Sequence, residues 1–377
     1  MDMMNSRTNV IISGGGTGGH VFPAIAIANA LREKEKDINI LFVGAEHKME
    51  MQQVPAAGYN ISGLPVRGFQ RKPLYKNIFF LYYLLLSMIK AGRIIDKFRP
   101  HVVVGVGGYA SGPVARAASS KGIPVLIQEQ NSYAGVTNRL LAKKAAKICV
   151  AYEGMEAYFP KDKIMLTGNP VRRDLLDLSG KRDEAVSFFG ISGKQKVILA
   201  VGGSIGAGSI NSAISGNIGL IKDSGIELIW QTGVSGYSNA AGLLEKEDCK
   251  NIHVYEFITR MDLAYAAADM VVSRAGAGTI SELSVTGKPV ILVPSPNVAE
   301  DHQTRNATAL VERDAAVMVR DQDCQAELVP LVLSLAKNNK RLAQLKKNIS
   351  DMAIPDSAGI IAREILKLAK KEKVADR

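Results

Sequence analysis

The 377-residue chain carries 47 Lys and Arg against 36 Asp and Glu, a net +11, with 47% hydrophobic residues, 35 glycines and 6% aromatics. That length exceeds what one hydrophobic core usually serves, and the apolar content excludes a disordered chain, so two α/β domains rich in strand-to-helix turns are expected. Cys149, Cys249 and Cys324, with no CxxC spacing, give neither a disulfide framework nor a zinc site and point to a reducing compartment.

The start "MDMMNSRT" has no apolar core or small-residue cleavage site, so no secretory signal is expected and the protein is placed in the cytoplasm. "NVIISGG" reads as a strand and "VFPAIAIANALREKEKD" as the helix after it. Between them, "GGGTGGH" sets Gly14, Gly16 and Gly19 in G-x-G-x-x-G spacing, a dinucleotide fingerprint in this context. The fingerprint also wants an acid about twenty residues on, for a ribose. Glu46, after the second strand "NILFVGA", comes later than that. His20 stands where the helix begins, and the positive end of the helix dipole favours its neutral, base-competent form.

Next comes "RKPLYKNIFFLYYLLLSMIKAGRIIDKFR", residues 71–99, in which Ile78 to Ile89 is apolar except for Ser87. The run is too short to span a bilayer, which takes about 20 residues. Ile78, Phe79, Tyr82 and Leu85 flanked by Lys72, Lys76 and further cations on both sides describe a surface that dips into a membrane interface bearing anionic lipid. Charge along the chain agrees: residues 1–171 hold 21 Lys and Arg and 11 Asp and Glu, a net +10, whereas the remainder holds 26 and 25, a net +1. An anionic partner for the first half alone is expected, and with few interleaved aromatics or stacking motifs nucleic acid is not.

The strand in "PHVVVGVGG" leads into a second glycine loop, "GVGGYASGP", with Gly107, Gly108 and Tyr109. In a parallel sheet both loops lie at one carboxyl edge, where their amides can cradle a pyrophosphate, although close helix packing also demands glycines. "PVLIQEQ" and "KICVAY" follow as strands. Around residue 170 the order restarts: "KVILAVGGSIGAGSINSAI" repeats strand, glycine loop and helix, and "ELIWQTG", "IHVYEFI", "MVVSRAG" and "PVILVP" add strands. The expectation is two doubly wound domains facing each other across a cleft, residues 1–171 and 172–355, with a helix over 356–373 crossing back to the first.

In the second half, Ser204 lies in a glycine turn suited to phosphate. Gly276, Ala277, Gly278 and Thr279 open a helix after a strand, with Glu282 about one turn inside it. Free N–H groups suit a diphosphate and a carboxylate suits both hydroxyls of a ribose, so a nucleoside diphosphate fits the pair. No Asp-x-Asp stands at a strand end in a metal-binding context.

"GGGTGGH", "QEQN", "GNPVR", "GGSIGA", "SRAGAGTISE" and "EDHQTRNA" occur in the order seen in the MurG family of peptidoglycan glycosyltransferases, and the chain resembles that family over nearly its whole length. The resemblance implies the GT-B fold and inverting transfer of N-acetylglucosamine from UDP-GlcNAc to the 4-hydroxyl of the muramyl sugar of lipid I. The product is lipid II, made at the cytoplasmic face of the membrane by a peripheral enzyme. Partners implied are UDP-GlcNAc, lipid I, anionic inner-membrane lipids and other cell-wall synthesis proteins; neither a cofactor nor a metal is implied.

The family's donor contacts carry over to Thr17, Gly18, Gly19, Asn131, Arg172, Ser204, the main chain of Ile258, Ala277, Gly278, Thr279, Ile280, Ser281, Glu282 and Gln303. A second glutamine frequent in the family is replaced by Thr304. A sugar hydroxyl needs a base to attack at neutral pH, and His20 is the candidate. Gly14, Gly15, Gly16, Gly107, Gly108 and Tyr109 are assigned to the acceptor pyrophosphate. A GT-B enzyme acting on another lipid, such as diacylglycerol, and a dinucleotide-dependent oxidoreductase are the competing readings.

Overall fold

A computed structural model describes residues 7–67, 78–203, 206–298 and 301–375. The chain divides into two compact units, residues 1–171 with 356–377, and residues 172–355.

Unit 1 is built on a seven-stranded, all-parallel sheet: β1 (Asn9–Ser13), β2 (Asn39–Ala45), β3 (Asn60–Leu64), β4 (Val102–Gly105), β5 (Val125–Glu129), β6 (Lys147–Val150) and β7 (Ile164–Leu166), in the order β3-β2-β1-β4-β5-β6-β7. Successive side chains leave opposite faces of a strand. Val10, Ile12, Val102 and Val104 therefore join one core, and Ile11 and Val103 the other. Helices cover both faces, which is why β4 and β5 are buried at every position. The first core takes Ile27 and Leu31 from the helix Gly18–Lys34 and Ile361 and Ile365 from the helix Ser357–Ala375.

Unit 2 repeats the plan with six parallel strands: β8 (Lys196–Val201), β9 (Ile226–Gln231), β10 (Ile252–Tyr255), β11 (Met270–Ser273), β12 (Val290–Leu292) and β13 (Val317–Met318), in the order β10-β9-β8-β11-β12-β13. In each unit the winding reverses beside the first strand, between β1 and β4 and between β8 and β11. Such a switch point opens a crevice at the carboxyl ends of the strands, where α/β sheets bind ligands.

Candidate active site

Because β1 and β4 are neighbours, the first glycine turn, leading to the helix Gly18–Lys34, and the second, leading to the helix Ser111–Ser120, emerge side by side. Their glycines permit contact between the turns. Gly107 and Gly108 hold φ of +97° and +84°. A Cβ on Gly108 would lie 2.3 Å from the Gly15 carbonyl oxygen, and one on Gly107 2.8 Å from Nε2 of His20. The imidazole of His20 thus packs on the second turn, while its Nδ1 sits 3.0 Å from Oγ1 of Thr17. When Nδ1–H donates to that hydroxyl, Nε2 carries the lone pair a general base needs.

The amides of the first turn have other partners. Gly14 N–H donates to Val43 O (3.2 Å), Gly15 N–H to Gly107 O (3.3 Å) and Gly16 N–H to Oε2 of Glu50 (2.9 Å). All three are spent within the protein. The backbone N–H groups of Gly14, Gly15 and Gly16, expected at an acceptor pyrophosphate, are thus engaged inside the protein in this structure. At this edge the donors without an intrahelical partner belong to the first turn of the helix, at Gly18 and Gly19, whose N-cap Thr17 forms no side-chain cap. Tyr109 stands 55% exposed on the second turn.

Asn131 follows β5 in a knot around Glu129, which is 2% exposed. The Glu129 carboxylate accepts from the backbone N–H of Asn131 (3.1 Å) and Gly135 (3.0 Å) and from Nδ2 of Asn138 (2.8 Å). Burial pushes its carboxyl above the ordinary range. Asn131 is held in place by an acid that the motif reading passed over.

Residues Ile78–Phe98 form one helix. Ser87, Ala91 and Ile95, spaced by four, are buried, and the latter two join the unit 1 core. On other faces Phe79, Leu81, Tyr82, Leu85 and Ile89 are 46–67% exposed, far beyond what an ordinary buried helix leaves. The guanidinium of Arg67 lies 4.3 Å from the Tyr83 ring centroid, and Lys90 pairs with Glu46 at 2.8 Å. Lys72, Lys76 and the side chain of Ile78 lie outside the described residues. Among the described residues no helix is long and apolar enough to cross a membrane.

In unit 2 the turn after β8 is shaped by Gly203 and Gly206, with φ of +82° and +90°. A Cβ on Gly206 would strike the Thr232 carbonyl oxygen at 2.0 Å. Ser204, the expected phosphate ligand in this turn, lies outside the described residues. Gln231 links this turn to the next, donating from Nε2 to Gly203 O (2.9 Å) and accepting at Oε1 from the Ile258 N–H (2.9 Å).

The helix Ala277–Thr286 begins with Gly276 as its N-cap, has no side-chain cap, and carries no acid in its first turn. Ile280 N–H makes the first intrahelical bond, to Gly276 O. The amides of Ala277, Gly278 and Thr279 are left pointing out of the helix start, and no neighbour lies within 4 Å of where a Gly278 side chain would be. Ser281 Oγ bonds back to Ala277 O at 2.9 Å, and Ile280 is buried.

Glu282, one turn on, has a side chain 23% exposed. Burial raises its carboxyl above the ordinary range, opposed by Arg172 and by the hydroxyl of Tyr265, which donates to Oε2 at 3.1 Å. Tyr265 is itself fully buried, and burial with the Glu282 charge holds its phenol well above its usual range. Arg172 Nε lies 4.0 Å from Glu282 Oε1 and 3.7 Å from Asp174 Oδ1, yet Nε and Nη2 have no hydrogen-bond partner among the described residues. Two buried guanidinium donors beside an open helix start suit an anionic oxygen. Gln303 Oε1 accepts from Ser295 N–H (2.9 Å), and Thr304 Oγ1 donates to Asp301 (2.7 Å), so Thr304 fixes the local turn. Tyr265, set in the small-residue run "LAYAAAD", carried no sequence signal. Among the described residues no group of three His, Cys, Asp or Glu gathers to hold a metal ion.

Comparison with known proteins identifies the family and the fold. Residues 10–150 match the glycosyltransferase family 28 N-terminal domain and residues 197–359 its C-terminal domain. A protein of Parabacteroides distasonis named UDP-N-acetylglucosamine–N-acetylmuramyl-(pentapeptide) pyrophosphoryl-undecaprenol N-acetylglucosamine transferase is 56% identical over 97% of this chain and 100% of its own length. A protein of Phocaeicola vulgatus with the same name is 54% identical over 98% of each. The crystal structure of Acinetobacter baumannii MurG superposes with a TM-score of 0.78 at 27% identity, covering 96% of this chain and 99% of that one. With both domain matches in place and relatives above half identity over full length, the chain belongs to the MurG family within glycosyltransferase family 28.

Proposed function

We infer that the chain transfers N-acetylglucosamine from UDP-GlcNAc to the 4-hydroxyl of the N-acetylmuramyl sugar of lipid I, giving lipid II. The observation that carries this reading is the open start of the helix Ala277–Thr286 one turn before Glu282, beside Nε and Nη2 of Arg172, which have no hydrogen-bond partner among the described residues. The helix start and the guanidinium suit a diphosphate, and Glu282 suits the two ribose hydroxyls.

Transfer then needs a base on the acceptor side. His20 Nε2 takes the proton of the acceptor hydroxyl as that oxygen bonds to the anomeric carbon and the bond from that carbon to the UDP oxygen breaks, inverting the configuration. The charge growing on UDP is met by the amides of Ala277, Gly278 and Thr279 and by Arg172. The acceptor pyrophosphate is assigned to the second turn around Gly107, Gly108 and Tyr109, while Thr17, Gly18 and Gly19 keep the donor contacts that the family resemblance implies. Asn131, the main chain of Ile258, Ser281 and Gln303 line the donor's path in this reading.

The exposed face of the helix Ile78–Phe98, with its cations, seats the enzyme on anionic lipid at the cytoplasmic face of the membrane, where lipid I resides. Other cell-wall synthesis proteins are natural neighbours there. Leu85→Ser with Ile89→Ser should release the folded protein from anionic liposomes in a flotation assay, since burying each such side chain is worth about 1.5–3 kcal/mol. Incubation with radiolabelled UDP-GlcNAc and a short-chain lipid I analogue tests the activity: labelled lipid II supports it, and intact donor with folded protein refutes it.

A further inference from the structure

Glu50 is 1% exposed, and no motif contains it. Its carboxylate accepts from Gly16 N–H at 2.9 Å through Oε2 and from Ala45 N–H at 2.9 Å through Oε1, so it bridges the end of β2 to the first glycine turn. Two glycines exist to admit it. A Cβ on Gly15 would fall 2.2 Å from Oε1, and one on Gly44 2.5 Å from Cγ. In a glycine turn that binds a nucleotide, a phosphate oxygen takes the place that this carboxylate takes here.

We propose that Glu50 is a positioning residue for the transfer: a resident anion that locks the first glycine turn and, through it, the placement of His20. Gly16 directly precedes Thr17, whose hydroxyl meets Nδ1 of His20, so the carboxylate is two short links from the ring. Because the lock is negative, it also turns phosphate away from Gly16 and leaves that turn to a neutral sugar. The proposal rests on the reading of His20 as the base.

The test uses full-length Glu50→Gln, which keeps the side chain's size but presents a single oxygen to two N–H donors. Misplacing a catalytic group by about 1 Å costs on the order of 100-fold. We expect kcat to fall about 10- to 100-fold, UDP-GlcNAc affinity to match the parent, and the His20 imidazole resonance to shift or broaden. Unchanged kcat with an unchanged resonance in a folded variant overturns the proposal. If Glu50→Gln does not fold, Glu50→Asp is read in the same way, and failure of both assigns Glu50 to folding and also overturns it. Full turnover by His20→Ala would instead dismiss the base, and Glu50 is then judged by the imidazole resonance alone.

Discussion

The first glycine turn of unit 1 and the start of the helix Ala277–Thr286 in unit 2 share one plan, a parallel strand running through small residues into a helix, yet they treat their backbone donors in opposite ways. In the first, Gly14, Gly15 and Gly16 give their N–H groups to Val43, Gly107 and Glu50. In the second, the amides after Gly276 stay open and the nearest acid is a turn further on. A glycine motif therefore says that backbone comes close to something; which partner holds the amides decides whether that something is an anion.

The sharpest way to break this contrast is His20→Ala. If the first turn serves proton transfer, kcat falls about 10²- to 10⁴-fold, as for loss of a general base. Binding of UDP-GlcNAc by calorimetry should stay close to the parent's, since the diphosphate and ribose are assigned to the helix Ala277–Thr286 and Glu282 of the other unit. Turnover close to the parent's would remove the base from the first turn.

Glu282→Ala should give the mirror image. Hydrogen bonds to a charged group are worth about 1.5–3 kcal/mol, so UDP-GlcNAc binding weakens about 10- to 150-fold. The acceptor KM should not move, and a change confined to the acceptor would reverse the assignment of the two regions.

A smaller effect follows from acidity. Burial holds the Glu282 carboxyl above the ordinary range, so as pH falls it takes up a proton, and loses acceptor strength, at a higher pH than an exposed carboxyl would. Donor KM should climb on that acidic side and do so no longer in Glu282→Gln. For stability the sign runs the other way. A carboxyl whose folded pKa is raised contributes most below its unfolded pKa, and the contribution is lost as pH rises through the folded value.

The smallest expected change is Tyr265→Phe. Its hydrogen bond to the Glu282 carboxylate reaches the sugar nucleotide only through that carboxylate, so donor KM should rise about 2- to 10-fold, equivalent to about 0.5–1.5 kcal/mol, with kcat kept. A loss of kcat alone would mean that the phenol does not act through the carboxylate.

The strands that pattern reading found are those covered on both faces, such as β4, β5, β8 and β9, because burial on both sides demands an unbroken apolar run. Those it passed over, β3, β7 and β13, are all sheet edges, short and incompletely buried, so their residues keep no such run. The same logic applies at the site. His20, Gly276 and Glu282 stand out in the sequence as candidates because helix starts after strands announce themselves locally. The spending of the first turn's amides does not, since Val43, Glu50 and Gly107 lie far along the chain and only the sheet order assembles them. Glu50 and Tyr265 act by where they are buried, and burial of a single polar residue leaves no periodic trace.

The helix Ser357–Ala375 lays Ile361, Ala362, Ile365 and Ala369 into the core of unit 1, against Ile27 and Leu31. On the ribosome this imposes an order. Unit 1 is translated first but must keep that apolar face uncovered while residues 172–355, 184 in all, are made. At about 5–20 residues per second the wait is on the order of 10–40 s. Unit 2 can finish folding before the unit that began ahead of it, and the half that is translated first is the last to close.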